Sequence, residues 1–343
     1  MRLGWIDIAR GICMFCVVLS HCKYDPPIYR CIFEPFFLTT FFFLSGVVSK
    51  PNPVKETIYN SSIKILWPYI INSIIFTFFS PTCIKLIIHR DVNDIIEYMR
   101  YMGEKIICGD FFWFLSCLFI VQIIASIITY IFKSNKRYII PIALLCLLSI
   151  YIISGEGIAP WNINTAIVAT GYFLIGVCLK DKVISFQLPE KKKYIGIAAA
   201  TIYILIIISI YIISPNPILY DLHTHRLSPE LLYLFLSIIG ITAVCMSALS
   251  IKRCKLLQLI GSNSLLIYMY HGLVCRHTKA AFSYLELDSL SQNPYIYSLL
   301  ISIVTTLLTL LIAIIITKYI PILIGRGTHC DKVYQYLQKS SIK

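Results

Sequence analysis

Ten apolar runs, each roughly 14 to 22 residues long, recur along the chain and are separated by polar or proline-bearing breaks. They cover approximately 5–21, 36–48, 63–80, 111–132, 138–153, 165–179, 194–213, 230–250, 262–275 and 295–317. A run of this length approaches what a helix needs to cross about 30 Å of hydrocarbon, where each backbone polar group must find its partner inside the segment. The pattern predicts an all-α, polytopic membrane bundle of about ten transmembrane helices. Composition agrees, because 58% of the 343 residues are hydrophobic, 14% are charged and the mean hydropathy is +0.78. A water-soluble domain cannot carry that balance on its surface. The expected organisation is one transmembrane domain over 1–325 followed by a short basic tail over 326–343.

The first run is not read as a cleavable signal, since Asp7 and Arg10 interrupt its apolar core and no small-x-small cleavage site follows. The thirteen cysteines lie mostly inside apolar runs, where they act as small hydrophobes rather than as a disulfide framework. Cys22 and Cys31 share one short loop and could pair if that loop is extracytoplasmic. No C-x-x-C pair or zinc spacing occurs.

A formal charge of +13 invites a nucleic-acid reading, so the placement of the basic residues is decisive. With both termini cytoplasmic, ten spans assign 1–10, 49–64, 133–137, 180–193, 251–257 and the tail from Lys318 to the inner side. These segments hold 21 of the 30 Lys and Arg residues but only five of the 17 acids. That asymmetry is the positive-inside pattern, so the charge reports topology and no nucleic-acid partner is expected.

Asp7, Arg10, Met14, Val17 and His21 follow spacings of three and four, which puts them on one face of the first helix. Arg10 and His21 are separated by about three full turns and about 16 Å along the axis. Asp7 and Arg10, three residues apart, are placed to neutralise each other in part. Salt-bridged packing with an interfacial histidine is the plain explanation. Ionisable groups inside membrane spans are costly, however, and usually mark a pathway or a site.

The stretch "WIDIARGICMFCVVLSH" at 5–21 resembles the first helix of the membrane acyltransferase-3 family, the integral membrane O-acetyltransferases of surface polysaccharides that include fucose O-acetylase-like proteins. Its signature is a basic residue and a histidine separated by ten residues, which Arg10 and His21 match. Further fragments follow in similar order: "FFLTTFFFLSG" at 36–46, "WPYI" at 67–70, "FFWFLSCLF" at 111–119, "GYFLIGVCL" at 171–179 and "IGSNSLLIYMYH" at 260–271. The likeness covers roughly residues 2–320. Each fragment is weak alone, and their shared order is more specific.

The resemblance implies transfer of an acyl group, most often acetyl from acetyl-coenzyme A as co-substrate, to a sugar hydroxyl of a surface glycan or its lipid-linked precursor. Such a reaction needs a base at the hydroxyl, a cationic route for the donor and stabilisation of the oxyanion. By analogy His21 is the base, and Arg10 holds the donor's phosphate or pantetheine portion. Lys64, beside Trp67 and Pro68, attracts its nucleotide end. His271 is expected to serve oxyanion stabilisation or acceptor binding, near the outer end of its helix and beside Tyr268 and Tyr270. Asp7, Trp113 and Tyr268 are supporting residues, although Trp113 reads first as an interfacial anchor and only second as a sugar platform. No metal is expected. Carbohydrate and membrane lipid are the implied partners, in a bacterial cytoplasmic membrane. Gly171 and Gly176 read as packing notches, and Ser45 and Gly46 as a close-packing pair.

The segment 81–110 carries charges of both signs among apolar residues and reads as one or two surface helices over the outer mouth. Arg90, Arg100, Asp94 and Asp110 are candidates for glycan contact there, with a solvated amphipathic face the plainer account. "DLHTHR" at 221–226 places His223 and His225 two apart, too little for a metal site without two further ligands. Two other readings compete with the enzyme. In a transporter or flippase the stripe would line a path, but no self-similarity between the halves supports this. In a non-catalytic assembly partner His21 would be dispensable. Family members often carry an additional soluble hydrolase-type domain. None is recognisable here, so the chemistry is expected within the bundle or with a separate partner.

Overall fold

The computed structural model describes residues 3–21, 27–50, 52–89, 92–189, 194–213, 219–285 and 292–326. The tail beyond 326, the basic "EKKK" at 190–193, Arg90 and Cys22 therefore lie outside the described residues.

Helix α1 spans Gly4–Ser20, and α2 (Pro27–Phe33) leads into α3 (Phe37–Val48). Helix α4 (Val54–Ser61) continues through a π turn at Ser62–Leu66 into α5 (Trp67–Phe78). Two short helices follow, α6 (Pro81–His89) and α7 (Val92–Ile107), then α8 (Trp113–Ile131), α9 (Lys136–Leu148) and the single turn α10 (Ile150–Ile153). The remaining helices are α11 (Ile163–Ser185), α12 (Tyr194–Ile213), α13 (Glu230–Ile251), α14 (Lys255–Ser262), α15 (Ser264–Tyr284) and α16 (Pro294–Tyr319). A small antiparallel hairpin, β1 (Leu219–Asp221) and β2 (Arg226–Ser228), joins α12 to α13.

Among the described residues, eight helical segments are long and apolar enough to cross a membrane. Together with α1 and the α14–α15 pair they correspond to the ten runs. The two left over are the ones that carry the ionisable residues at issue. Helix α1 has 17 residues and contains Asp7 and Arg10, and α15 contains His271, Arg276 and Lys279.

Three boundaries differ most from the sequence expectation. The third span begins at Val54 because α4 runs on into α5. The second span gains α2, so its helical segment reaches back to Ile28. The ninth continues to Tyr284, which places His271 in the first half of α15 and not near its outer end. Polar residues hid that extension. Its buried Val274, Cys275 and Thr278 give it an inner face, and Cys275 packs with Tyr297 and Ile301 of α16.

Local rules explain several starts. Asn293 caps α16 by accepting from the Tyr295 and Ile296 amides, with Pro294 at the first helical position. Asn135 caps α9 in the same way, through the Arg137 amide. Helix packing depends on glycine at two crossings. A Cβ at Gly46 would lie 2.0 Å from the Phe173 carbonyl oxygen, and one at Gly176 would lie 2.2 Å from that of Phe43, so α3 and α11 approach backbone to backbone. A Cβ at Gly11 would meet the Leu257 carbonyl at 2.2 Å, and one at Gly261 the Asp7 carbonyl at 1.8 Å, which brings α14 equally close to α1. Small residues permit such contacts where lipid supplies no hydrophobic drive for helix association. Gly171 is also a notch, because its Cβ would strike Leu147 and the Ala143 carbonyl.

Helix α1 is the centre of the bundle, packed on α3, α13, α14, α15 and α16. Helix α16 carries a stripe of buried small polar residues, Ser298, Ser302, Thr305 and Thr309. Ser302 and Thr309 turn their hydroxyls back to carbonyls of their own helix. The segment 81–107 forms two helices, as expected, and α7 buries none of its residues.

Candidate functional site

The site is organised along the inward face of α1. Asp7, Met14 and Val17 are buried, Arg10 is half-buried and His21, just past the last turn, is exposed. The 3.6-residue period delivers one continuous stripe, and the two ends of that stripe reach different surroundings.

At the Arg10 end lies a cavity of about 700 Å³. Its wall includes Arg10, Lys50, Lys64, Lys136 and Lys180, with Asp181 as the opposing charge. Lys136 pairs with Asp181 at 3.3 Å, and the Lys180 ammonium donates to the Ser49 carbonyl. Lys64 takes its place from the π turn between α4 and α5. Polar neutral groups complete the lining, including Asn60, Gln122 and Ser126, and the Ser61 hydroxyl donates to Gln122 Oε1 at 2.5 Å. The segments around 50, 64, 136 and 180, which the charge pattern assigns to one side of the membrane, thus converge on one cavity. Gln122 and Lys180 were not among the expected site residues. A glutamine inside the apolar run 111–132 was the available signal for the first.

A second, narrower chamber of about 140 Å³ continues from Arg10 and Ser45 past Met14 and Val17, between Phe41, Phe114, Leu118 and Tyr268. Arg10 and Ser45 line both spaces and so form the neck between them. The lower space is cationic and wide. The upper one is smaller and mostly apolar, and its last lining residue on α1, Val17, is one turn below His21.

Beyond it His21 meets His271, their ring centroids 4.9 Å apart at an angle of 46°. The two residues are 250 positions apart in sequence. The bend at Asn263 and the close α1–α14 crossing bring them to one level. His271 Nδ1 lies 2.7 Å from the Tyr268 carbonyl and 3.1 Å from that of Ile267. A carbonyl only accepts, so this nitrogen carries the proton, and in the neutral ring Nε2 is left as an acceptor. Oxyanion stabilisation by neutral His271 is therefore disfavoured, because that role requires a donor. The helix backbone sets the tautomer, which nothing in the spacing of the sequence foretells.

Tyr268 sits between the chamber and the histidines. Its hydroxyl accepts from the Phe114 amide at 3.1 Å, and its ring lies 6.2 Å from that of His271. Tyr270 is elsewhere, donating to Asn72 Oδ1 at 2.8 Å. Trp113 is stacked on His223, centroids 4.4 Å apart and planes 18° from parallel, and so is engaged within the protein where an interfacial anchor would turn to lipid. His223 belongs to the turn of the β1–β2 hairpin, where Asp221 accepts from the His223 and Thr224 amides. Burial pushes the His223 imidazole below its ordinary value, with the Asp110 carboxylate acting in the opposite direction.

The second histidine of "DLHTHR" goes another way. His225 is buried, with Nε2 2.8 Å from the Thr165 hydroxyl and Nδ1 3.0 Å from the Glu156 carbonyl. It ties the hairpin to the start of α11 and the 154–162 loop. Among the described residues no group of three or more His, Cys, Asp or Glu is placed to hold a metal ion. Cys31 is buried, and Cys22, with which it could pair, lies outside the described residues. Of the outer candidates, Asp110 stands beside Trp113 and His223, whereas Asp94 and Arg100 lie on α7, which buries none of its residues.

One comparison with known proteins identifies the chain. The profile described as an acyltransferase domain, that of the acyltransferase-3 family, matches residues 3–318, a range that holds both histidines, the Arg10 neck and the cationic cavity. No curated protein and no solved structure is matched. By that match the chain belongs to the acyltransferase-3 family and is a multi-pass membrane acyltransferase.

Proposed function

We propose that this enzyme transfers acetyl from acetyl-coenzyme A, taken up at the cytoplasmic face of a bacterial cytoplasmic membrane, to a sugar hydroxyl of a surface glycan or its lipid-linked precursor on the opposite side. The observation that carries the reading is the His21–His271 pair standing next to Tyr268, which lines a small apolar chamber that shares Arg10 and Ser45 with a cavity walled by cations. A coenzyme with a phosphorylated nucleotide and a thin, mostly neutral arm suits such a sequence of spaces. The cations around Lys64 and Lys180 attract the phosphates. The apolar chamber then accepts the arm, and the thioester is presented below the histidines.

In this reading His21 takes the proton of the acceptor hydroxyl while that oxygen attacks the thioester carbonyl. The C–S bond breaks as the tetrahedral intermediate collapses, and the same proton passes to the departing thiolate. The transfer therefore neither releases nor consumes a proton overall. His271, its tautomer held by the helix, orients the His21 ring as the second member of the pair. Asp7, buried one turn below Arg10, helps to hold the neck.

The test replaces His21 with Ala, verifies accumulation in membranes and examines the surface glycan of the producing cells for O-acetyl groups by NMR. The expected result is loss of acetylation, with transfer down by about 10²-fold or more. Acetylation at the normal level refutes the assignment of His21.

A further inference from the structure

Helices α6 and α7 follow directly on Phe78, which ends the third span on the side away from Lys64 and the cationic cavity. Trp67, Ile70, Ile74 and Phe78, spaced by three and four, give α5 one exposed apolar stripe, which in a membrane span is the face turned to lipid. Helix α7 is fastened at the border of that stripe. The Tyr98 hydroxyl bonds to the Ser80 hydroxyl at 2.6 Å and donates to the Thr77 carbonyl at 3.2 Å, and Thr77 neighbours Ile70 and Ile74 on the helix surface. Toward the other end of α7 the Ile106 carbonyl accepts from the Tyr69 hydroxyl at 2.8 Å. From Thr77 back to Tyr69, and from Tyr98 on to Ile106, the chain travels the same number of residues in opposite senses. Helix α7 therefore runs back alongside the far half of the third span, over about 12 Å of its depth.

A helix on the surface of a water-soluble protein has two sectors, an apolar one that is covered and a polar one that is wet. Helices α6 and α7 each have three. On α7, Ile95, Met99, Met102 and Ile106 are partly covered by the bundle, and Asn93, Glu97, Arg100 and Glu104 form an exposed polar sector. Between the two, Val92, Ile96 and Ile107 fall within about 60° of one another and are 65%, 62% and 73% exposed. On α6, Cys83 is buried, Lys85 and His89 are exposed, and Ile84, Ile87 and Ile88 make a second bare apolar sector. The exposed rings of Phe78 and Phe79 join it to the α5 stripe. Protein, lipid and water on three sides of one helix account for this division, which contact with protein and water alone does not.

We propose that α6 and α7 are embedded in the leaflet opposite the cationic cavity, with the sectors of Ile84, Ile87 and Ile88 and of Val92, Ile96 and Ile107 against lipid acyl chains and the charged sectors against water. Bilayer lipid is the occupant because this surface continues a lipid-facing stripe, carries no charge and follows the depth of the span. Embedding also fixes the Lys105–Asp110 turn, from which α8 sets out with the Phe114 amide that bonds to Tyr268.

The test uses the full-length enzyme in nanodiscs of phosphatidylethanolamine and phosphatidylglycerol. The photoreactive residue p-benzoylphenylalanine is placed singly at Ile88, Ile96 and Ile107, at Lys85, Glu97 and Glu104, and at Ile74 as the lipid-facing reference. Lipid adducts are then measured by intact mass spectrometry. The three hairpin isoleucines are expected to give adducts at about the yield of Ile74, about tenfold or more above the three polar positions. Equal yields in the two sectors overturn the proposal. So do adducts from the isoleucines to a second copy of the chain in place of lipid. A second measurement does not depend on cross-linking. Ile88 and Ile96 are mostly exposed, so on a water-facing surface Ile88→Asn and Ile96→Asn would act as Glu97→Asn does. Against lipid each leaves an amide in hydrocarbon and is expected to lower the melting temperature in nanodiscs by several degrees more than Glu97→Asn. Equal melting temperatures for all three variants overturn the embedding.

Discussion

The close crossing of α1 and α14 yields the sharpest test of how the fold sets the site. Replacing Gly261 with Ala adds one methyl carbon that would stand 1.8 Å from the Asp7 carbonyl oxygen, 2.7 Å from its carbon and 2.9 Å from the Gly11 nitrogen. All three are backbone atoms, so no side chain can swing aside. To restore ordinary contact at 3.4 Å the helices must separate by about 1.6 Å. Overpacking of this kind costs about 1–3 kcal/mol. The displacement also lies on the route by which α14 delivers α15, and hence His271, to His21. Misplacing catalytic groups by about 1 Å can cost about 10²-fold in rate. Gly272, in the next helix beside His271, is the matched control, because a Cβ there meets nothing within 4 Å. Gly272→Ala adds the same methyl and should leave both stability and rate nearly unchanged, or raise stability by up to about 1 kcal/mol through helix propensity. The assay is transfer of radiolabelled acetyl in nanodiscs together with thermal unfolding. Gly261→Ala is expected to lower the melting temperature and to depress the rate by one to two orders of magnitude at the same protein level. If the two variants behave alike, the α1–α14 contact does not position the histidines and the reasoning is wrong.

Three further outcomes follow from the cationic cavity and the hairpin. Arg10→Gln should raise the half-saturating acetyl-CoA concentration about tenfold. Lys64→Gln should raise it by a smaller factor that shrinks as salt is added, measured by initial rates at two ionic strengths. A change confined to the acceptor requirement would refute that role for either residue. For His223, burial lowers the imidazole below its ordinary value of about 6.5. The folded protein then binds fewer protons at this site than the unfolded chain, so its stability contribution falls as pH drops below about 6.5. Melting temperatures at pH 8, 6 and 5 should show wild type losing more on acidification than His223→Gln. An equal loss in both refutes the sign.

Hydropathy alone settles that this chain is an all-α membrane bundle, because over apolar runs of this length a helix satisfies every backbone polar group within the segment. Helical period alone settles that Asp7, Arg10 and His21 share a face, since their spacing is a property of α1 and of nothing else. The basic cavity was legible in part: the positive-inside pattern places Lys64, Lys136 and Lys180 on one side, though not around one space. Other features were beyond reach, and for one physical reason: each depends on which backbones approach. The meeting of His21 with His271 requires glycines at 11 and 261, whose effect is invisible until two helices cross. The proton on His271 Nδ1 is set by a carbonyl one turn away in the folded helix. The pairing of Asp110 with His223 joins a turn before α8 to a hairpin more than a hundred residues later, through a stack on Trp113 that its position at a helix start had suggested was an anchor. Sequence determined the elements and the faces they present, because those follow from period and length. Tertiary structure decided which faces meet, because in a membrane that choice rests on close backbone contact rather than on hydrophobicity, which every helix here shares.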